Sequence, residues 1–340
     1  MIRRIFFRAI LPLVLIVSAI LAWLVWDIYR VMHRPMPLPG EGVIYELRRG
    51  STVALLAEDL KGQGFLRNAW YLPLWARWDG TAHKLQAGEY MLTQGLTPAA
   101  LLQLMKAGQV TQYSLSLIEG WNFRQVMDAV SRSPYLTQTL QGLDDQQIME
   151  RLGYPGQHPE GRFFPDTYFF PKGLSDEAFL KRAYDALHAR LEKAWSERHE
   201  NLPLENSYQA LTLASIVEKE SAVPAERPVI AGVFVNRLRK NMRLQSDPTV
   251  IYGLGESYDG DIRYRDLRTD TPYNTYTRKG LPPTPIAIVG EGALKAATQP
   301  EKTDYIFFVA VGDGTGNHQF SKTLAEHERA VDRYLKRTRK

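Results

Sequence analysis

"ASIVEKESA", residues 214–222, sets two glutamates and a lysine at the end of a run that carries no charge from Tyr208 to Val217. The apolar positions predict a buried helix over residues 208–220. Residues two apart on a helix point about 200° away from each other. Glu218 and Glu220 therefore do not face one another across a bond, as the paired carboxylates of an ordinary glycosidase do. Glu218 continues the stripe Leu211–Ala214–Ser215, whose small side chains leave room for a molecule to dock. Glu220 follows Leu213, Ile216 and Val217 at the helix end. A carboxyl group in partly apolar surroundings keeps its proton, because desolvation disfavours the anion, and can then pass it to a leaving oxygen. The plain alternative is a buried ion pair, for which Lys219, Arg227, Arg237 and Arg239 are available.

Two polar loops follow. "NRLRKNMRLQSDPTVIYG", residues 236–253, gathers Asn236, Gln245, Ser246, Asp247, Thr249 and Tyr252. "TPYNTYTRKGLPPTPI", residues 271–286, adds Tyr273 and Asn274. Amide, hydroxyl and aromatic groups carried on loops suit a sugar-binding cleft. Each also has a structural reading: Gln245 to Asp247 as a turn before Pro248, the tyrosines as core.

With 340 residues, 44% hydrophobic and 23% charged, the chain has the composition of a globular protein with a sizeable core. A net charge of +5, scattered along the sequence, makes no case for nucleic acid. The absence of cysteine excludes disulfides, thiol nucleophiles and cysteine–zinc sites. No G-x-S-x-G, S-x-x-K, H-E-x-x-H or P-loop is present, and the seven histidines are scattered, so serine-hydrolase, transpeptidase and metal chemistry lack a motif.

Arg3, Arg4 and Arg8 precede an uncharged stretch over residues 9–26, long enough to cross a hydrocarbon core. The expected layout is a cytoplasmic N-terminus (residues 1–8), a transmembrane anchor (9–29) with Trp23, Trp26 and Tyr29 at the far interface, and the remainder outside. Bulky tryptophans stand where a small-residue cleavage site would be, which favours an uncleaved anchor over a signal peptide. In a bacterium this is a single-pass inner-membrane protein with a periplasmic bulk. "RPMPLPGEG", residues 34–42, reads as part of a linker over residues 30–42. Strand, glycine and capped helix then recur at Gly50 with Ser51 and Thr52, at Gly95 with Thr97, and at Gly120 with Asn122. Residues 43–93 read strand–helix–helix–strand. This resembles a LysM module, a binder of N-acetyl sugar polymers, and defines a subdomain over residues 43–110. Residues 111–340 read as a larger α+β domain, with helices at 125–130, 176–195 and 227–240. A buried strand at 303–311, a hairpin loop at 312–316 and a closing helix at 323–336 complete it.

"LASIVEKE" (213–220), "VFVNRLRKNMRLQSDPTVIYG" (233–253), "TPYNTYTRKGLPPTPI" and "EGRFFPDTY" (160–168) resemble the motifs of the membrane-anchored endolytic murein transglycosylases, the YceG-like family. The likeness runs from the anchor to "HQFSKTLAEH" (318–327). It implies a transmembrane helix, a LysM-like subdomain and an α+β catalytic domain, with Glu218 as the catalytic acid and base. It implies cleavage of the β-1,4 bond between N-acetylmuramic acid and N-acetylglucosamine by the sugar's own 6-hydroxyl, so one carboxylate suffices and no cofactor is needed. Glu220 and Asp247 are auxiliary candidates in this reading. Asn236, Gln245, Ser246, Thr249, Tyr252, Tyr273 and Asn274 are candidates for contact with the glycan strand. Peptidoglycan synthases are the protein partners the likeness suggests. The rival reading is a non-catalytic wall-binding scaffold. A hydrolase using water and a metal-dependent amidase are further alternatives.

Overall fold

The computed structural model describes residues 2–338, with side chains from Ile10 onward. The chain forms two compact units. One comprises the residues up to Tyr113 together with Phe170–Lys172; the other comprises Ser114–Phe169 and Gly173 onward.

The first unit begins with α1 (Ile2–Met32), which runs unbroken through Pro12. Within it, Ile10–Met32 is long and apolar enough to cross a membrane and is almost wholly unburied. Then come β1 (Val43–Leu47), α2 (Val53–Gly62), α3 (Tyr71–Trp78), β2 (Gly88–Leu92) and α4 (Pro98–Ala107). β1 and β2 pair antiparallel, Tyr45 opposite Tyr90 and Leu47 opposite Gly88. Alternation along each strand turns Tyr45, Leu47, Tyr90 and Leu92 inward against Leu56, Leu60, Leu72, Leu101 and Met105. The β-α-α-β order expected over residues 43–93 is therefore present.

Residues 30–42 are not a free linker. The helix continues to Met32, and Met32, Met36 and Leu38 are buried in the core of this unit. Prolines at 35, 37 and 39 hold the segment extended, and a period of two puts Met36 and Leu38 on one face while the prolines stay exposed.

The strand–glycine–capped-helix device is built three times. Gly50, Gly95 and Gly120 all take the left-handed conformation that turns the chain out of a strand. Thr52, Thr97 and Asn122 then cap α2, α4 and α5 (Phe123–Ser131), and Asn122 forms a full capping box with Gln125.

The second unit is mostly helical. β3 (Gln112–Ser116) enters it and pairs with β5 (Thr167–Pro171); β4 (Leu136–Thr137) pairs with β6 (Leu174–Ser175). α6 (Asp145–Leu152) lies between, and α7 (Asp176–Ser196) follows. α8 (Ser207–Glu220) is buried at every position from Ala210 to Glu218, as its uncharged sequence requires. It packs against α7, α9 (Arg227–Arg239), α10 (Asp247–Leu254) and α12 (Glu291–Thr298). Small side chains make the close approach of these helices feasible: Ala214, Ala231, Ala293, Ala296 and Ala297 all belong to the shared core. α11 (Tyr264–Arg268) lies in the loop region after α10, and α13 (Leu324–Thr338) closes the chain.

The strand expected over residues 303–311 is shorter and less buried. β7 spans Phe307–Ala310, is half-buried, and forms a hairpin with β8 (His318–Ser321). Before Phe307 only the Ile306 N–H reaches β8, at Ser321 (3.1 Å), while the carbonyls of Thr303 and Tyr305 accept hydrogen bonds from the Asn236 amide (2.7 and 3.0 Å). The loop at 312–316 is the hairpin connection, as its glycines suggested.

Candidate active site

Glu218 ends the buried face of α8, and its side chain is nearly inaccessible. One carboxylate oxygen accepts from Arg227 Nη2 at 2.6 Å. The other accepts from the backbone N–H of Gly290, the N-cap of α12, at 2.9 Å. Arg227 also lies 3.7 Å from Glu119, whose carboxylate occupies the space a side chain at residue 290 would need. Two carboxylates thus share one guanidinium. Burial raises the pKa of Glu218 most strongly; the Gly290 N–H and then Arg227 oppose it, and the nearby Glu119 adds to the rise. The balance is upward.

Two expectations about this residue need correcting. An ion pair with arginine, the plain alternative of the sequence, is present. The room beside Ala214 and Ser215 is filled by the chain itself: the Ile286 N–H bonds Ser215 Oγ at 3.0 Å, and the strand-like run to Gly290 continues to Glu218. Small residues on α8 accommodate that segment rather than a ligand.

A cleft of about 930 Å³ opens beside this cluster. Gly120 and Lys219, the chain neighbours of Glu119 and Glu218, are in its wall. So are Asn122, Gln125, Gln138 and Gln141, with Phe123, Tyr252 and Tyr258 offering aromatic surface. Glu218 itself does not line it, whereas Glu160 does. Both oxygens of Glu160 accept the Phe123 N–H, at 3.0 and 3.1 Å, and one accepts the Tyr252 hydroxyl at 2.9 Å. Burial lifts the Glu160 carboxyl to about 7 despite these donors. Sequence reasoning quoted the "EGRFFPDTY" segment without giving Glu160 a role. No local signal singled it out, because "EG" also occurs at 41–42, 119–120 and 291–292.

Of the other expected site residues, Tyr252 alone lines this cleft, stacked edge-on against Tyr273 at 4.7 Å. The Tyr273 hydroxyl meets Thr284 Oγ1 at 2.9 Å. Glu220 points away from Glu218 into the loops. Its oxygen accepts from Ser246 Oγ at 2.5 Å, and burial lifts its pKa to about 7. Asp247 is exposed and accepts the Tyr276 hydroxyl. Gln245 is also exposed, with φ of 53°, its amide oxygen held by Arg237 at 3.3 Å.

Four residues expected to bind substrate hold loops together. Asn236 fastens residues 303–305, as described. Asn274 donates to the carbonyls of Asp266, Leu267 and Thr269. Ser246 and Thr249 are buried and knit to Thr275, the Ser246 N–H at 3.0 Å and the Thr249 hydroxyl at 2.8 Å from its Oγ1. Buried polar side chains need partners, and here they find them in loop carbonyls and in the side chains of Glu220 and Thr275.

The chain belongs to the YceG-like family, whose model matches residues 45–333. A Bacillus subtilis protein named endolytic murein transglycosylase is 34% identical over 304 residues, covering 84% of this chain and 83% of that protein. A Streptococcus pneumoniae protein of the same name is 26% identical over 329 residues, and the match covers 57% of its length. The crystal structure of a YceG-like protein from Listeria monocytogenes is similar at a TM-score of 0.54 and 33% identity, covering 86% of this chain and 99% of that one.

Proposed function

We propose that this protein is a membrane-anchored lytic transglycosylase that cuts peptidoglycan glycan strands internally. The observation that carries the reading is the buried Glu218, its pKa raised by that burial, beside a large polar and aromatic cleft, in a chain similar along most of its length to a protein named endolytic murein transglycosylase. α1 is its uncleaved anchor, with the bulk of the chain on the outer face of the inner membrane. The β-α-α-β subdomain is LysM-like and holds glycan. Peptidoglycan synthases, working on the same strands, are the protein partners expected.

The bond cut is the β-1,4 linkage of N-acetylmuramic acid to N-acetylglucosamine. Glu218 gives its proton to the glycosidic oxygen, then takes the proton of the muramic acid 6-hydroxyl as that oxygen attacks C1. The product is a 1,6-anhydro end. The 6-hydroxyl belongs to the substrate, so its attack gains the advantage of proximity and needs no activated water. An acid/base group of this kind contributes about 10²–10⁴-fold; Arg227, the Gly290 N–H and the wall of the cleft hold the reacting groups in place.

A second reading places the proton on Glu160, because Glu160 lines the cleft and Glu218 does not. The two are separated by incubating Glu218→Gln and Glu160→Gln proteins with sacculi and measuring anhydro-muropeptides by mass spectrometry. Loss of anhydro ends in Glu218→Gln, with only partial loss in Glu160→Gln, is the expected result. Normal release by Glu218→Gln would sink the first reading. Products about 18 Da heavier, carrying a reducing end, would replace it with hydrolysis.

A further inference from the structure

We propose that α3 is a membrane-surface helix, its Trp70–Leu74–Trp78 face seated in the headgroup layer of the same bilayer that α1 crosses. This rests on the reading of α1 as a membrane anchor.

Trp70, Leu74 and Trp78 recur every four residues and so share one face of α3. They are 49%, 43% and 77% exposed, whereas Leu72 and Ala76 on the other side, and Tyr71 at the face's edge, are buried in the core. Two tryptophans and a leucine left open on one short helix form a surface that a water-facing module would bury.

The position of this face is fixed by α1. Asp27 is the first charged residue after Arg8, so it marks where the apolar stretch ends. The Tyr71 hydroxyl donates to Asp27 Oδ2 at 2.6 Å in a buried contact, while Arg30 holds Oδ1 at 2.8 Å. α3 is therefore fastened at its first residue to the boundary of the span. A second fastening follows: the Trp75 ring meets His33 edge-on at 5.2 Å, and His33 stacks on Tyr29 at 4.2 Å. Asp27 to His33 is about 9 Å along a helix, close to the depth of the polar layer on one side of a bilayer. The first turn of α3, from Tyr71 to Trp75, spans those two levels.

Trp70, whose ring is 4.3 Å from that of Tyr71, sits at the depth of Asp27. Trp23 and Trp26 are exposed on α1 just before it. The apolar surface of the span thus continues onto α3, and this continuity identifies the occupant as lipid. Tryptophan suits the layer because its ring is apolar and its N–H finds water or a carbonyl there. Exposed Arg67 and Arg77 flank the face and match lipid phosphates.

The chain contains no cysteine, so single cysteines can be introduced without removing others. Full-length protein carrying Leu74→Cys, Val17→Cys or Arg333→Cys would be nitroxide-labelled and reconstituted in phosphatidylethanolamine/phosphatidylglycerol vesicles. Paramagnetic resonance power saturation then compares collision with oxygen, which favours lipid, and with a water-soluble nickel chelate. The expected oxygen-to-nickel ratio is highest at Val17, low at Arg333, and at Leu74 several-fold above Arg333. A Leu74 label as nickel-accessible as Arg333, with Val17 still in lipid, overturns the proposal and leaves the anchor standing. A Leu74 label shielded from both reagents means that a second copy covers the face, which also overturns it. A Val17 label in water overturns the anchor reading and the proposal with it.

Discussion

In the proposed reaction a glutamate must bring a proton, and at Glu218 two things favour one by raising its pKa. Burial does most of the work, and Glu119 adds a second negative charge beside the same arginine. Replacing Glu119 with glutamine removes the charge and leaves Arg227 to Glu218 alone, so the Glu218 pKa falls. A group that must start protonated then loses activity at lower pH. The basic limb of the pH profile for anhydro-end formation should move to lower pH in Glu119→Gln, and an unmoved limb would remove Glu119 from the account. Glu160 and Glu220 make a different prediction, about stability. Each has a folded pKa near 7, above its unfolded value. The folded state therefore holds protons that the unfolded state releases, and stability should fall as pH rises from about 4.5 to about 7. Measured denaturation midpoints should decline across that window. Glu220→Gln, which cannot ionise, should flatten the decline, and an unchanged slope would mean that the carboxyl is not held neutral. At this scale the sequence was partly legible. Glu218 stood out because a charge after ten uncharged residues is rare, but its partners lie 72 and 99 residues away or beyond a helix boundary. Glu119 and Gly290 reach it only through tertiary packing, and no local pattern announces that.

At the scale of elements, legibility followed the strength of local signals. α8, α9 and α13 were placed to within a few residues, because uncharged runs, prolines at first turns and an amphipathic period are local features. The strand expected over 303–311 is present only at Phe307–Ala310, and composition does not report that Asn236 holds two carbonyls ahead of it. The linker failed for the same kind of reason: a proline-rich run reads as solvent-exposed, yet Met36 and Leu38 alternate so as to enter a core. Packing between elements also makes its own prediction. A Cβ at residue 232 on α9 would come within 2.5 Å of the Glu301 carbonyl oxygen, a backbone atom that cannot swing aside. Gly232→Ala should cost roughly 1–3 kcal/mol of stability, as overpacking does, even though alanine favours helix. Urea denaturation followed by tryptophan fluorescence checks this. Unchanged stability would show that the 301 segment is free to move away from α9.

At the scale of the molecule, the separation of an apolar N-terminal helix from two packed units follows from one fact: apolar residues are distributed in two ways. In α1 they cover every side of the helix without being buried, whereas in the two units they converge on separate cores. An unburied apolar helix of this length has no stable place in water, so the chain needs a bilayer or a protease that removes the segment. Trp23, Trp26 and the Asp27–Tyr71 bond favour the bilayer, because cleavage anywhere before Asp27 leaves a buried tyrosine contact at a frayed helix end. Protein expressed at full length in a bacterium should therefore stay in the membrane pellet through alkaline carbonate. Its intact mass should include residues 10–26, and Asp27→Asn should not release it. A soluble form beginning after residue 26 would mean that α1 is a leader. The Tyr71 contact would then serve only to fold the first unit before processing.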